Sequence, residues 1–195
     1  MNTIMKGLPN LETEHFHLRK INTDDIPAIF DYGSNPNVSK QVSWETHQTV
    51  ADTRVFVDMI VEGYEQGTKA LWGMELKSTG KLVGTIDFVA IQERHRNAEI
   101  GYVLSEECWG KGYMTEAARR IISFGFEELQ LERIQARCFV ENEGSSRVME
   151  KVGMSFEGTM RNAMFAKGKF HDLKMFAIVS EDYLKFRYNK RQSCE

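Results

Sequence analysis

Proline and cysteine are scarce in this chain, with 3 of each among 195 residues. Three prolines and 15 glycines exclude a collagen-like or low-complexity chain. The cysteines, Cys108, Cys138 and Cys194, are odd in number and widely spaced. That suits neither a disulfide framework nor a zinc site, and points to reduced thiols in the cytoplasm. A surplus of charge is also missing. There are 25 Lys and Arg against 28 Asp and Glu, a net charge of −3. DNA is therefore not expected as a partner, because counterion release needs a basic excess. No run approaches the roughly 18 apolar residues of a membrane span. The opening MNTIMKGLPN has no apolar stretch of the kind that starts a secretion signal. No repeat or linker is present, and the spacing of His15, His17, His47 and His95 implies no metal.

What is present is globular: 42% hydrophobic and 27% charged residues, enough for one domain with a sizeable core. That domain is expected to fill 1–195, with a core over about 13–183 and tails at 1–10 and 185–195. The second tail is polar and expected to fray. Thr13 to Ile21 alternates as a strand. Asn22 to Asp25 starts a helix carrying Ile26, Ile29 and Phe30. Thr49 to Gly67 is a stronger helix with Val50, Val57, Ile60, Val61 and Tyr64 as one stripe. Strands over 70–76 and 82–91 flank a turn at Ser78 to Lys81, and 97–104 is a third. The best helix follows Met114, with Ala117, Ala118, Ile121, Ile122, Phe126 and Leu129 on one face. A strand over 133–140, a short helix over 146–152 and a hairpin over 156–179 complete the chain. Cys138, Phe56 and Phe124 read as core. His171 reads as packing in the last hairpin. The order implies an α/β fold with a mixed sheet.

Strand, Gly110-Lys111-Gly112, then amphipathic helix is a layout that can hold phosphates on converging N–H groups and a helix N-terminus. A P-loop fails here, since Ser105 stands where its first glycine belongs and Gly112 follows the lysine. A dinucleotide fingerprint fails at Thr115. A plain turn that needs glycine for its dihedrals is the remaining alternative.

Glu99 to Leu104 followed by Trp109 to Ala117 resembles the acetyl-CoA motif of the GNAT superfamily of N-acetyltransferases. The resemblance is closest to the RimJ/RimL-like branch, which acetylates N-terminal amines of ribosomal proteins. Asn142 to Met154 resembles the second motif. Thr13-Glu14 with Leu18-Arg19, and Glu157-Gly158, Arg161 and His171-Asp172, resemble the flanks. The resemblance implies a mixed, mostly antiparallel sheet of about 6–7 strands with helices on both faces. It implies acetyl-CoA as co-substrate and no metal. Main-chain groups of Val103 and Leu104 would pair with the pantetheine arm. Trp109, Gly110, Lys111, Gly112, Tyr113 and Met114 would hold the pyrophosphate, and Asn142 would bond the arm, unless it is a cap. Two departures stand out: Glu107 where many members have Arg or Gln, and Met149 where many have a tyrosine acid. Ser145 would then supply the proton, its other reading being a helix N-cap. Glu99 would be the base, its other reading being a surface carboxylate paired with Arg94 or Arg96. Asp87 is a weaker rival.

The acceptor expected is a protein N-terminus, such as that of a ribosomal protein. An α-amine with pKa near ~7.8 is roughly 10–15% neutral at pH 7, whereas a lysine at ~10.4 is below 0.1%. A small primary amine such as a polyamine or aminoglycoside is the alternative, and a silent CoA-binding module is the rival from another class. No membrane partner is expected, and a homodimer is compatible with the sequence.

Overall fold

The computed structural model describes residues 7–192. Eight strands form one sheet: β1 Leu11–Glu12, β2 Phe16–Arg19, β3 Ala70–Leu76, β4 Leu82–Gln92, β5 Asn97–Leu104, β6 Arg133–Phe139, β7 Ser155–Ala166 and β8 Lys169–Val179. The helices are α1 Ile26–Gly33, α2 Pro36–Ser39, α3 Val50–Gln66, α4 Tyr113–Glu127, α5 Glu143–Lys151 and α6 Ser180–Gln192. The sheet runs β1-β2-β3-β4-β5-β6-β8-β7. Every pair is antiparallel except β5–β6, which is parallel and needs α4 as its crossover.

Local chemistry explains the main elements. The Asp52 carboxylate accepts the Thr49 N–H at 2.9 Å to start α3, and Gly67 ends it in the left-handed conformation at φ 68°. Val57, Ile60 and Tyr64 are buried along α3. Val50 departs from the expected stripe: it is the first residue of α3 and is 47% exposed. In α4, Ala117, Ala118, Ile121 and Ile122 are buried. Phe126 is half-buried, and Leu129 is buried beyond the helix end. Trp72 of β3 is wholly buried, edge-on to Phe88 and Phe124, and its indole N–H donates to Pro9 O at 2.7 Å.

Strand alternation puts Thr85 and Asp87 on one face of β4 and Ile86 and Phe88 on the other. Tyr32 of α1 bonds to Thr85, while a Cβ on Gly125 of α4 would meet Phe88 and Ile134. Helices α1 and α4 thus cover opposite faces.

Two features depart from the sequence expectation. β1 is an eighth strand, too short to show a pattern. The fraying tail is instead helix α6 as far as Gln192. Tyr183 secures it by stacking on Phe126 at 4.8 Å and donating to Glu127 at 2.6 Å. Residues 1–6 and 193–195, including Cys194, lie outside the described residues.

Gly84 of β4 leaves no room for a side chain against β5. A Cβ there would stand 2.3 Å from Val103 O and 3.1 Å from Leu104 Cα, both main-chain atoms. Gly84→Ala is expected to cost about 3 kcal/mol, because the strand pair must separate to admit the methyl. Urea unfolding measures this, and an unchanged midpoint would contradict it.

Candidate active site

The parallel pairing of β5 and β6 runs from Asn97–Arg133 to Ile100–Ala136 and then stops. Gly101 to Leu104 and Arg137 to Phe139 continue without pairing to each other, so the strands part and leave an opening. The Ser105 N–H donates to Val83 O at 2.7 Å, and Val103 pairs with Thr85. Antiparallel alternation then turns the main-chain groups of Tyr102 and Leu104 into the opening. The Val103 main chain therefore faces β4, whereas that of Tyr102 faces the opening. Leu104 O accepts the Trp109 indole N–H at 2.8 Å.

The turn before α4 is built by two glycines, Gly110 at φ 75° and Gly112 at φ 80°. Gly112 caps the helix with no side chain, so the first N–H groups of α4 face outward uncapped. A Cβ on either glycine would meet nothing within 4 Å, so the space before the turn is open to a ligand. Lys111 is exposed beside it. Met114 is 6% exposed and Tyr113 packs edge-on to Phe16 at 5.2 Å, so both offer only their main chain. The nearby acids are turned away. Glu106 takes hydrogen bonds from Asn35 at 2.8 Å and Asn37 at 2.9 Å. Glu107 pairs with Lys81 at 3.0 Å. The turn thus keeps its positive end for an anion.

Asn142 is the N-cap of α5, and its Oδ1 accepts the Ser145 N–H at 2.9 Å. Its amide nitrogen donates to Gln41 O at 3.1 Å. Ser145 is therefore not the cap, contrary to one reading of it. Its hydroxyl lies 2.8 Å from the Tyr102 hydroxyl, so one pair of donors joins β5 to α5. Burial raises the Tyr102 phenol well above its ordinary pKa, with Ser145 opposing, so it keeps its proton. Tyr102 was missed from sequence because its place in the motif explained it as strand. Its alternation with the buried Ala98 and Ile100 was the available signal. Met149 is 1% exposed and packs in the core. Cys138 is buried with its sulfur 3.5 Å from Ser146 Oγ, and burial raises its thiol. His171 stacks on Phe139 at 4.4 Å.

On the other face lie two carboxylates. Glu99 Oε1 accepts from Arg137 at 2.8 Å, and Oε2 accepts from Gln135 at 3.0 Å. Its partner is thus Arg137 of β6, not Arg94 or Arg96. Asp87 stands opposite Gly101 on β4. It is half-buried, and burial pushes it up to about 7, with Glu99 adding to the rise and Lys69 opposing it. Among the described residues no group of three His, Cys, Asp or Glu could hold a metal, and no helix is long and apolar enough to cross a membrane.

Residues 15–155, which include β5, the glycine turn, α4 and β6, match a family model described as an acetyltransferase (GNAT) domain. The chain belongs to the GNAT family and is an acetyltransferase. The N-acetyltransferase YoaA of Bacillus subtilis, named as uncharacterized, is 35% identical over 88% of this chain and 97% of its own. YdaF of the same organism, provisionally named a ribosomal N-acetyltransferase, is 29% identical over 87% and 94%. The spermidine N(1)-acetyltransferase of Escherichia coli is 25% identical over 86% and 87%. A GNAT-family acetyltransferase structure from Bacillus anthracis superposes with a TM-score of 0.78 and 34% identity, covering 89% of this chain and 99% of that one. RimL, a ribosomal L7/L12 α-N-protein acetyltransferase solved with coenzyme A, shares the fold at a TM-score of 0.77 and 21% identity, over 87% and 97%.

The raised Asp87 has a consequence for stability. Its folded pKa of about 7 lies above the unfolded value near 3.9, so the folded state binds more protons between those pH values. The cost is absent below pH ~4, grows as pH rises, and is complete above ~7. Asp87→Asn should therefore raise Tm by ~3–6 °C at pH 8 and by little at pH 4.5. Melts at the two pH values check this, and an equal gain at both would contradict it.

Proposed function

We propose that the chain is one acetyltransferase domain that transfers acetyl from acetyl-CoA to the N-terminal α-amine of a protein, a ribosomal protein being the first candidate. The observation that carries the choice of acceptor is the Glu99–Arg137 pair. The charge of Glu99 is matched by a guanidinium at 2.8 Å, and Lys69 stands by Asp87. Two carboxylates and two cations make a balanced cleft, whereas a polycation needs a surplus of acid. The greater similarity to YdaF than to the spermidine enzyme supports the same choice.

The residues fit a CoA arm. The main chain of Tyr102 and Leu104 would pair with pantetheine, and the Trp109 to Met114 turn would hold the pyrophosphate beside Lys111. Asn142 fits less well through its side chain, which is occupied by the cap and by Gln41. Acetyl-CoA supplies an activated carbonyl and a thiolate leaving group. The chain must orient the amine, stabilise the carbonyl oxygen and return a proton to sulfur. A main-chain N–H of Tyr102 or Leu104 serves the oxygen. The Tyr102–Ser145 hydroxyl pair, 2.8 Å apart, serves the sulfur: a hydroxyl donates to it as the proton released by the attacking nitrogen is taken up, so that neither is left charged. Glu99, tied to Arg137, orients Arg137 and sets the local charge.

Gly112→Asp should weaken acetyl-CoA binding at least ~100-fold in calorimetry, because it strains φ and puts a carboxylate before the turn. Equal affinity would sink the cofactor site. The acceptor is tested with a panel of N-terminal peptides and polyamines; turnover confined to polyamines would reverse the assignment.

Ser145→Ala and Tyr102→Phe should each lower kcat ~10–100-fold with little change in acetyl-CoA affinity, and the double variant should be no worse than either alone. Additive losses would show that the two hydroxyls do not act as one relay.

A further inference from the structure

We propose that Asp87 takes the proton from the attacking amine, while Glu99 acts on it only through charge. This rests on the reading of an amine acceptor at the β5–β6 opening. Asp87 lies across from Gly101, the first residue of β5 beyond the last pair with β6. A Cβ on Gly101 would stand 3.1 Å from Asp87 Oδ1 and 2.6 Å from Val89 Cγ2. The carboxylate therefore lies over the root of the opening, where the strands part. Glu99 stands two residues earlier, ~7 Å back along the strand. Its oxygens are drawn toward β6 by Arg137 and Gln135. Both of its oxygens are thus already engaged by side chains of β6.

Asp87 is different in each respect. Among the described residues, nothing donates a hydrogen bond to its carboxylate. The charged and titratable groups that face it are Lys69 from the α3–β3 turn, Glu99 from β5 and the Tyr64 phenol from α3. Arg137 of β6 is engaged by Glu99. Burial is the largest influence; Lys69 opposes it, Glu99 adds to it, and Asp87 is pushed up to about 7. Moving a proton from an α-ammonium at ~7.8 to a carboxylate near 7 is uphill by less than one decade. Moving it to an ordinary aspartate at ~3.9 is uphill by about four.

The step balances as follows. The ammonium gives one proton to Asp87, and the freed nitrogen lone pair forms the C–N bond to the acetyl carbon. The C–S bond breaks and its electron pair leaves with sulfur. The second N–H proton reaches that sulfur with Tyr102 and Ser145 as donors. Asp87 then returns its proton to water.

The test compares Asp87→Asn, Asp87→Glu and Glu99→Gln with wild type. It measures kcat/KM from pH 5.5 to 9, acetyl-CoA affinity by calorimetry, and the Asp87 carboxyl by 13C NMR in cofactor-free protein. Asp87→Asn is expected to lose at least ~100-fold in kcat/KM at pH 7 and to lose the wild-type inflection near 7. Its acetyl-CoA affinity should stay within about twofold. Asp87→Glu should restore part of the rate. Glu99→Gln should lose no more than about tenfold and shift the inflection to lower pH, because a negative neighbour has gone. The NMR midpoint should lie near 7. The proposal is overturned by a midpoint near 4, by Asp87→Asn with an intact inflection, or by loss of acetyl-CoA binding in that variant. The acceptor reading fails separately. If wild type acetylates an amine other than a peptide N-terminus, the same comparison on that amine still decides the role of Asp87.

Discussion

The site depends on one constraint: β5 and β6 pair as far as Ile100 and Ala136 and no further. Main-chain donors and acceptors beyond that point must find partners elsewhere. Leu104 O finds the indole of Trp109, and the groups beside it suit an extended arm laid along the strand. The parting also fixes where the helices begin. Helix α4 follows β5 and helix α5 follows β6, so both positive ends lie at the end of the sheet where the gap opens. They differ in use. Asn142 satisfies the first turn of α5, whereas Gly112 leaves that of α4 uncapped. An anion placed there meets an end that no side chain fills.

The segment from α1 to the start of α3 is held to this end of the sheet by a ring of polar contacts. Asn35 and Asn37 bind Glu106, just before the glycine turn. Lys81 joins Asp31 of α1 to Glu107. Asn142 reaches Gln41 O, and Lys167 at the tip of the last hairpin donates to Ser39 O. Exposed ion pairs of this kind contribute little stability singly. Their value is positional: the segment touches the phosphate turn, the α5 cap and the hairpin. An acidic pair before an anion site looks unfavourable in sequence, and these contacts explain it, because Glu106 and Glu107 face the α1–α2 segment and Lys81.

Much of this was legible in the residues. Helix α4 and its glycine turn carry a strong period and a specific motif, so their place was clear. The strands around Gly84 and Gly101 showed alternation. What was not legible is what depends on neighbours distant in sequence. Glu99 could be put on a face, but its capture by Arg137, 38 positions on, needs the β5–β6 register. The direction of the Val103 main chain is set by Val83 and Thr85 and leaves no mark in side-chain pattern. Helix α6 has a weakly amphipathic sequence and depends on Tyr183 docking against Phe126, so composition read it as a tail. Ser145 looked like a cap because Ser is a common one, yet Asn142 three residues earlier takes that role.

Local rules are broken most densely in one small region. Gly101 interrupts the middle of a strand, where glycine packs nothing. Among the described residues, no donor bonds the half-buried carboxylate of Asp87. Two strands forgo pairing they could have continued. Each departure costs stability, and none is repaired by a neighbour, although repair is common elsewhere in the fold. Asp25, which is buried, receives two hydrogen bonds from Arg19 at 2.8 Å and a third from the Asn22 N–H. A fold able to satisfy Asp25 so fully could have satisfied Asp87. The difference between the two aspartates is therefore best understood through what each faces. Asp25 faces the protein, and its partners are supplied by the chain. Asp87 faces the root of the opening, where the chain supplies it with Lys69 as a charged neighbour but with no hydrogen-bond donor among the described residues. Sites where several local rules fail together are where function overrides packing, and here they converge on the pair Asp87 and Gly101.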